Sequence, residues 1–550
     1  MGIYLKDVEL HFSINFLQTI KIEYLRIFRY RGSCVYDLAV TLKNSNMLND
    51  KKVENLKNLI KDSFRVRPNQ DPIYIDTGNH LTRLKAKQHQ IIFGRRGSGK
   101  SCLLVHFKNN ANKTKDSVNI YIETDVIKRL GYPDVLIRLL LAVMESIQKS
   151  KPWWKKLNPK SDIQIHIKNL RILLNQAEQR KVKTEETKSS NYSAKGNYTG
   201  LEGSMGSSNS RGILSEFEES KLDTLERHLG DYKNTLENEL KKLKIESATI
   251  LLDDFYLIKK TRQPDVIDYL HRLFRGTNYY LKVGTVRHRT DLVRNDGQTI
   301  GVVLDQDIEQ INLDRTLEDL TSPSEFLSRI LNSMGKKVNI QNASTELFNS
   351  QAFEKLVIAS GGVPRDFLTI FTNSIDIALS SGQTRHLTPS NIWKAASSFS
   401  YRNKLQNLRT DVSNDSQAIE KVFRNLLQFC LVNKKRTCFL ISQEEAQANP
   451  EIHEYILQLM DGKLIHVIEP DTSAASNRPG RYEAYTLDFS LFMEPRKRGI
   501  EIVEFWNFDQ GGRRIGVRES PIYHLSNAVE AIQSDDNIQT ETLIDSMETE

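Results

Sequence analysis

The eight residues Gly94-Arg95-Arg96-Gly97-Ser98-Gly99-Lys100-Ser101 constrain this chain more than any other stretch. They fit G-x-x-x-x-G-K-[ST] in full, a pattern that has physical meaning only between a strand and a helix. The flanks supply both, with Gln90-Ile91-Ile92-Phe93 before it and Cys102-Leu103-Leu104-Val105-His106-Phe107 after it. The glycines let the backbone curl so that successive N–H groups converge on phosphate oxygens. A helix beginning near Lys100 adds the positive end of its dipole. Gly94, Arg95, Arg96, Gly97, Ser98, Gly99, Lys100 and Ser101 are therefore expected to bind ATP. Lys100 is expected to reach the β- and γ-phosphates, and the Ser101 hydroxyl to help hold Mg²⁺.

A phosphate loop needs a carboxylate on a neighbouring strand to complete the Mg²⁺ shell. Ala248-Thr249-Ile250-Leu251-Leu252-Asp253-Asp254-Phe255 runs from β-favouring residues straight into two acids, as a buried strand does at the ligand edge of a parallel sheet. Asp253 is the expected Mg²⁺ ligand, through water, and Asp254 the expected catalytic carboxylate that polarises the attacking water. Asp is one methylene shorter than the Glu that many ATPases place there, so slow turnover is expected. Two arginines fit the remaining catalytic roles. Arg287 follows the strand-like run Tyr280–Val286, and Arg365 lies in the first turn of a helix opened by Ser360-Gly361-Gly362-Val363-Pro364.

These four motifs, in this order, resemble those of AAA+ and STAND-type P-loop ATPases. The set is most similar to the origin-recognition and replication-initiator branch and its bacterial relatives, over roughly Arg65 to Tyr401. The resemblance implies that the strand end at Thr285 and Arg287 is sensor 1 and that Arg365 is sensor 2. It implies an α/β fold: a P-loop parallel-sheet core, a helical lid, an inserted helical hairpin and a C-terminal winged helix. DNA transactions, mobile elements or phage defence are the settings it implies. The chain departs from the family pattern at Asp254 and in the long segment between the phosphate loop and Asp253. Arg289 and Arg294 are the candidates for an arginine finger between subunits of a homo-oligomer.

The chain divides by pattern. Residues 1–64 form an N-terminal region in which Phe12–Phe16 alternates like a strand and Glu54–Phe64 looks helical. The ATPase core is expected over 65–320. Within it lies a helical insertion, 161–244, marked by Ile167, Leu170, Leu174 and Ala177 and then by Leu222, Leu225, Leu229, Tyr232, Leu236 and Leu243. Its tip, 184–212, is rich in Ser, Gly and Asn and is expected to be disordered, so the hairpin is expected to project from the core. A lid follows over 321–400, with Thr388-Pro389-Ser390 as a fresh helix start. Residues 416–506 suggest a winged helix: a helix at Ile419–Leu426, a second one capped by Asn449 and started by Pro450, and a hairpin of Leu464–Ile468 with Tyr482–Leu487. Residues 520–550 are expected to be an acidic, disordered tail.

Charge and cysteine content bound the partners. The net charge is +8, and no Lys or Arg follows Arg518, so the body is more basic than the total. That suits sequence-tolerant DNA binding through Arg478 and Arg481 in the wing. Glu451 and Glu454 on the preceding helix oppose groove docking. An unidentified protein partner is the competing expectation. Cys34, Cys102, Cys430 and Cys438 show neither metal spacing nor a disulfide framework. With no apolar stretch of membrane-spanning length and no signal-peptide core, a cytoplasmic protein without a membrane role is expected. The sequence thus points to an ATP-binding ATPase that uses binding and slow hydrolysis to switch assembly or partner contacts. Its rival is a nucleotide-gated, STAND-like scaffold with little or no hydrolysis.

Overall fold

Strands alternate their side chains between two faces, and the central runs of this chain are apolar on both, so a sheet built from them must be covered on each side. The computed structural model describes residues 47–111, 117–150, 161–175, 220–400, 403–404, 406, 416–475, 478–492 and 499–533. The expectations for residues 1–46, for Cys34, for the 184–212 tip and for 534–550 lie outside the described residues. Four strands come first: β1 (Gln90–Phe93), β2 (Ser117–Glu123), β3 (Ser247–Asp253) and β4 (Tyr279–Thr285). A small hairpin, β5 (Val293–Asn295) with β6 (Thr299–Gly301), leads to β7 (Glu309–Asn312). The main sheet runs β2-β3-β4-β1-β7, with every pairing parallel. β3 lies inside it and all its residues are buried.

The two faces carry separate cores. Ile92 and Leu251 pack with Leu103, Leu104 and Phe107 of α2 (Lys100–Ala111). Ile91, Phe93, Ile250 and Leu252 pack on the other side, with α3 (Asp134–Lys149), α4 (Leu229–Leu243) and α5 (Gln263–Phe274). Burying each such side chain stabilises the fold by about 1.5–3 kcal/mol. The described parts of the insertion do not stand off from this core. Its helices at 162–175 and 220–227 bury Ile163, Ile167, Leu170 and Leu225 in the same cluster, and Tyr269 donates a hydrogen bond to the Leu225 carbonyl at 3.0 Å. Their apolar stripes are buried in that cluster, which explains why these described helices are packed on the core.

Preceding the core, α1 (Lys51–Ser63) is capped by Asp50, which accepts from the Lys52 amide at 2.9 Å. It buries Val53, Leu56 and Ile60 against the lid. The lid helices are α6 (Thr321–Lys336), α7 (Ala352–Ala359), α8 (Pro364–Ser380) and α9 (Pro389–Ala395). Thr388 and Asn391 form the capping box that starts α9.

The C-terminal part shares one continuous core with the lid. It holds α10 (Ser416–Leu427) and α11 (Pro450–Asp461), with the sheet β8 (Cys438–Ser442), β9 (Ile465–Thr472) and β10 (Tyr482–Leu487) in the order β8-β10-β9. With β8 between α10 and α11, and β9 and β10 after α11, the helices and the three-stranded antiparallel sheet make the winged helix. Two expectations are corrected. Asn449 does not cap α11 with its side chain, which instead donates to the Glu445 carbonyl at 3.1 Å, because another short helix, Gln443–Ala448, runs directly into it. The expected disordered tail begins too early at 520: Tyr523, Leu525 and Ala528 are buried, and α12 (Leu525–Gln533) packs on α10. The acidic bias of the tail obscured this short apolar face. Among the described residues no helix is long and apolar enough to cross a membrane.

Candidate functional site

The glycine-rich loop 94–101 leaves β1 at Phe93 and its shape depends on glycine. A Cβ on Gly94 would lie 2.3 Å from the Ser98 Oγ, and Gly97 and Gly99 hold φ of 91° and 105°, a region closed to most side chains. Lys100 folds back over the loop, and its Nζ donates to the carbonyls of Gly94 at 2.6 Å and Arg95 at 3.3 Å. Burial lowers its pKa, and the nearby carboxylates of Asp254 and Asp253 oppose that shift. The Ser98 Oγ is buried within the loop without a hydrogen-bond partner. A polar atom orphaned there, beside converging N–H groups and a helix N-terminus, fits an oxyanion.

Two carboxylates close the other side. Asp253 ends β3, nearly buried, and both its oxygens are engaged: Oδ2 accepts from the Tyr121 hydroxyl at 2.7 Å and Oδ1 from the Asp254 amide at 3.0 Å. Burial and Asp253 raise the Tyr121 phenol well above its ordinary pKa. Asp254 turns out of the strand with a left-handed backbone, φ 54°. Burial, then the Asp253 charge, push its pKa up to about 6 against the pull of Lys100, Arg96 and Arg365. Ser101, Tyr121, Glu123, Asp253, Asp254 and Arg365 line a cavity of about 180 Å³. A second cavity of about 510 Å³ runs along the loop from Arg96 to Cys102, under Phe64, Arg65, Tyr74 and Ile75, and up to Phe326, Met334 and Leu368 of the lid. The sequence reading missed the 59–75 wall, which forms no strand; its apolar residues carry no period that would single them out.

The donor set suits Mg²⁺. One hydroxyl, Ser101, and one carboxylate, Asp253, share a cavity wall. Two hard oxygen donors that leave the rest of the shell to water and phosphate suit that ion. Ser101 and Asp253 are the residues that would hold it.

The arginines are divided. Arg365 lines both cavities; its amide donates to the Gly97 carbonyl at 3.4 Å and its Nη2 to the Phe64 carbonyl at 3.0 Å. Arg287 turns the other way. Its guanidinium lies 4.1 Å from the centre of the Phe93 ring and donates to Gln310 Oε1 at 2.9 Å, and it lines neither of these cavities. The expected catalytic role of Arg287 is not what this geometry serves: two residues beyond the end of β4, it projects over Phe93 of β1 and Gln310 of β7. Of the finger candidates, Arg294 makes a bidentate pair with Asp265 at 2.7 and 2.9 Å, and Arg289 ends the short turn after β4.

Arg95, expected among the nucleotide ligands, sends its side chain into a buried junction with the lid and the winged helix. Its amide donates to Asp314 Oδ1 at 2.8 Å, and its Nη2 donates to the carbonyls of Arg315 at 2.9 Å and Gly361 at 3.1 Å. Its Nη1 lies 3.4 Å from His466 Nδ1 on β9. His466 Nε2 is 2.7 Å from Asp488 Oδ2, which also accepts from Lys404 Nζ at 2.7 Å. Burial alone would push Asp488 up, but Lys404 and His466 hold its carboxyl well below the usual range. Burial also lowers the His466 pKa. Gly361 must lack a side chain, since a Cβ there would lie 2.2 Å from His466 Cε1. Beside this chain, the His288 amide donates to Asp461 Oδ2 at 2.9 Å, and burial with Asp314 pushes the Asp461 pKa up to about 7. The turn after β4 is thereby tied to the end of α11.

α11 therefore faces the parallel-sheet core. Its Glu454 lies 3.6 Å from Lys260 and 4.0 Å from His288. In the wing, the Arg481 Nε donates to Asp471 Oδ1 at 2.6 Å, an exposed pair.

No family model matches this chain, and no curated protein matches it. Solved structures with a similar fold include the Orc1 protein of Aeropyrum pernix in complex with DNA, at 11% identity over 78% of this chain and 93% of that one, TM-score 0.35. Cdc6p from Pyrobaculum aerophilum is similar at 13% identity over 78% and 93%, TM-score 0.33. A Walker-type ATPase of Pyrococcus abyssi is similar at 12% identity over 78% and 97%, TM-score 0.37.

Proposed function

We propose that this chain is an AAA+-like ATPase that binds ATP with Mg²⁺ and uses the nucleotide state, with slow hydrolysis, to switch assembly or partner contacts. The observation that carries this reading is Arg95: a phosphate-loop residue whose guanidinium is bonded at once to the lid turn and to the winged helix. A loop that reshapes around phosphates shifts the base of that side chain. The junction then loses or keeps its hydrogen bonds as a set, since a buried charge tolerates no half-made partner.

In this scheme the amides of Gly97–Ser101 hold the phosphates, and Lys100 exchanges its loop carbonyls for β- and γ-phosphate oxygens. Mg²⁺, when bound, supplies charge neutralisation between those phosphates. Tyr121 fixes the Asp253 carboxylate by hydrogen bond. Arg365 faces the γ-phosphate from the lid side. The 59–75 wall and the lid receive the base.

DNA contact is proposed through the wing alone. α11, with Glu451 and Glu454, is turned to the core, which leaves Arg478 to meet phosphate and Arg481 to exchange Asp471 for it. Such binding is sequence-tolerant and salt-sensitive. A second reading, a nucleotide-gated scaffold that barely hydrolyses ATP, is favoured by the diversion of Arg287 toward Phe93 and Gln310.

Calorimetry and hydrogen exchange test the main reading together. Lys100→Ala is expected to abolish ATP binding with the fold intact; equal affinity in mutant and parent removes the nucleotide site. His466→Ala is expected to keep ATP binding, while ATP no longer alters amide exchange across residues 461–468. An unchanged ATP response there breaks the proposed link.

A further inference from the structure

The parallel register sets Glu123, the last residue of β2, beside Asp253 at the end of β3. Residues in register on neighbouring strands lie about 4.8 Å apart and project to the same side of the sheet. Both strands run out at the edge where the phosphate loop opens, and both residues line the cavity that holds Ser101 and Arg365. Asp253 has both oxygens engaged by Tyr121 and by the Asp254 amide, so it is committed to its place. Asp254 is short, half-buried, and leaves the strand in a left-handed turn; Lys100, Arg96 and Arg365 lower its pKa against the push of burial. Glu123 is exposed at the mouth of the same cavity and one methylene longer.

We propose that Glu123, and not Asp254, is the catalytic base that activates water for ATP hydrolysis, an inference that rests on the ATPase reading above. The carboxylate accepts a proton from a water whose oxygen bonds to the γ-phosphorus. The bond from that phosphorus to the β–γ bridging oxygen breaks, and its electron pair stays on the departing ADP. The products are ADP and inorganic phosphate, and the proton passes from Glu123 to solvent. Asp254, facing Lys100, is then a positioning residue for the lysine.

The test uses the full chain, with Glu123→Gln, Glu123→Asp and Asp254→Asn compared for phosphate release, ATP affinity by calorimetry, and the nucleotide retained after gel filtration with ATP. Glu123→Gln is expected to lower turnover by about 10²–10⁴-fold, the usual worth of a general base. Its ATP affinity and Tm are expected to match the parent's, and the retained nucleotide to be ATP. Glu123→Asp is expected to fall between them. Asp254→Asn is expected to move ATP affinity more than turnover. Parental turnover in Glu123→Gln, or loss of turnover confined to Asp254→Asn, overturns the proposal. So does a parent that binds ATP and never hydrolyses it, which leaves nucleotide binding standing. A parent that binds no ATP overturns the underlying reading itself.

Discussion

Two Arg–Asp neighbourhoods in this molecule look alike on paper and differ in every physical consequence. At the junction, Arg95, His466, Asp488 and Lys404 are almost wholly buried, and Lys404 and Asp488 are 3% and 0% exposed. In the wing, Arg481 and Asp471 are 55% and 57% exposed. Water competes for the wing pair and salt screens it, so its formation is nearly neutral. At the junction water is excluded, so every donor needs its acceptor and removal of one strands the others. The buried set is suited to transmitting a change in the 94–101 loop. The exposed pair is suited to being exchanged for an external phosphate.

The hardest way to break this contrast is Asp488→Ala. It leaves Lys404 and His466 without their shared acceptor and removes the acceptor of the Ser490 amide at 3.1 Å. The expected cost is about 3–5 kcal/mol, read as a lower midpoint in denaturant for the transition that includes the lid and winged helix, which share one core. The parent's dependence has the sign of a depressed carboxyl: Asp488 stabilises the fold above its ordinary value of 3.8, and that contribution is lost as pH falls below it. A midpoint within error of the parent at neutral pH would show that the junction is no more demanding than the wing.

A smaller effect of opposite sign sharpens the comparison. Asp461 keeps its proton in the fold up to about pH 7, whereas the unfolded chain loses it near 3.8. Its contribution is whole below 3.8, is lost as pH rises from there to about 7, and changes no further above that. Asp461→Asn, which still accepts from the His288 amide, is therefore expected to gain on the parent between pH 4 and pH 8, by up to about 4 kcal/mol. Parallel stability curves for the two proteins over that range refute the buried, protonated state.

The smallest effect belongs to the wing. Arg481→Ala is expected to leave Tm unchanged. Duplex DNA affinity is expected to fall by a similar factor for all sequences, with a shallower salt dependence, as loss of a phosphate contact does. Fluorescence anisotropy at two salt concentrations reads both. A strong preference for one sequence, abolished by the mutation, would mean that Arg481 reads bases.

The local parts of the site were legible because each is carried by contiguous residues. Gly94–Ser101 between its strand and helix, Ala248–Asp254 as a strand ending in acids, and Gly361-Gly362 before Pro364 are short-range patterns with steric reasons behind them. The edge strand β7 and the strand β8 were not legible, because runs this short stand out from a loop only beside a motif, as β1 does before the glycine-rich loop. The direction of Arg287 and the reach of Arg95 were equally hidden, since a side chain at a strand end or in a loop points wherever its tertiary neighbours leave room.

By itself, the sequence determined the glycine-rich loop between β1 and α2, the acidic end of β3, the helical lid and the winged-helix order, because glycine conformations, strand alternation and helix caps act over a few residues. Only the tertiary structure decided that Glu123 stands beside Asp253, that Tyr121 holds that carboxylate, and that Arg95 meets His466 across 371 positions of chain. Those meetings come from parallel crossovers and from the packing of the winged helix on the lid. Such contacts form between faces whose partners no local pattern names.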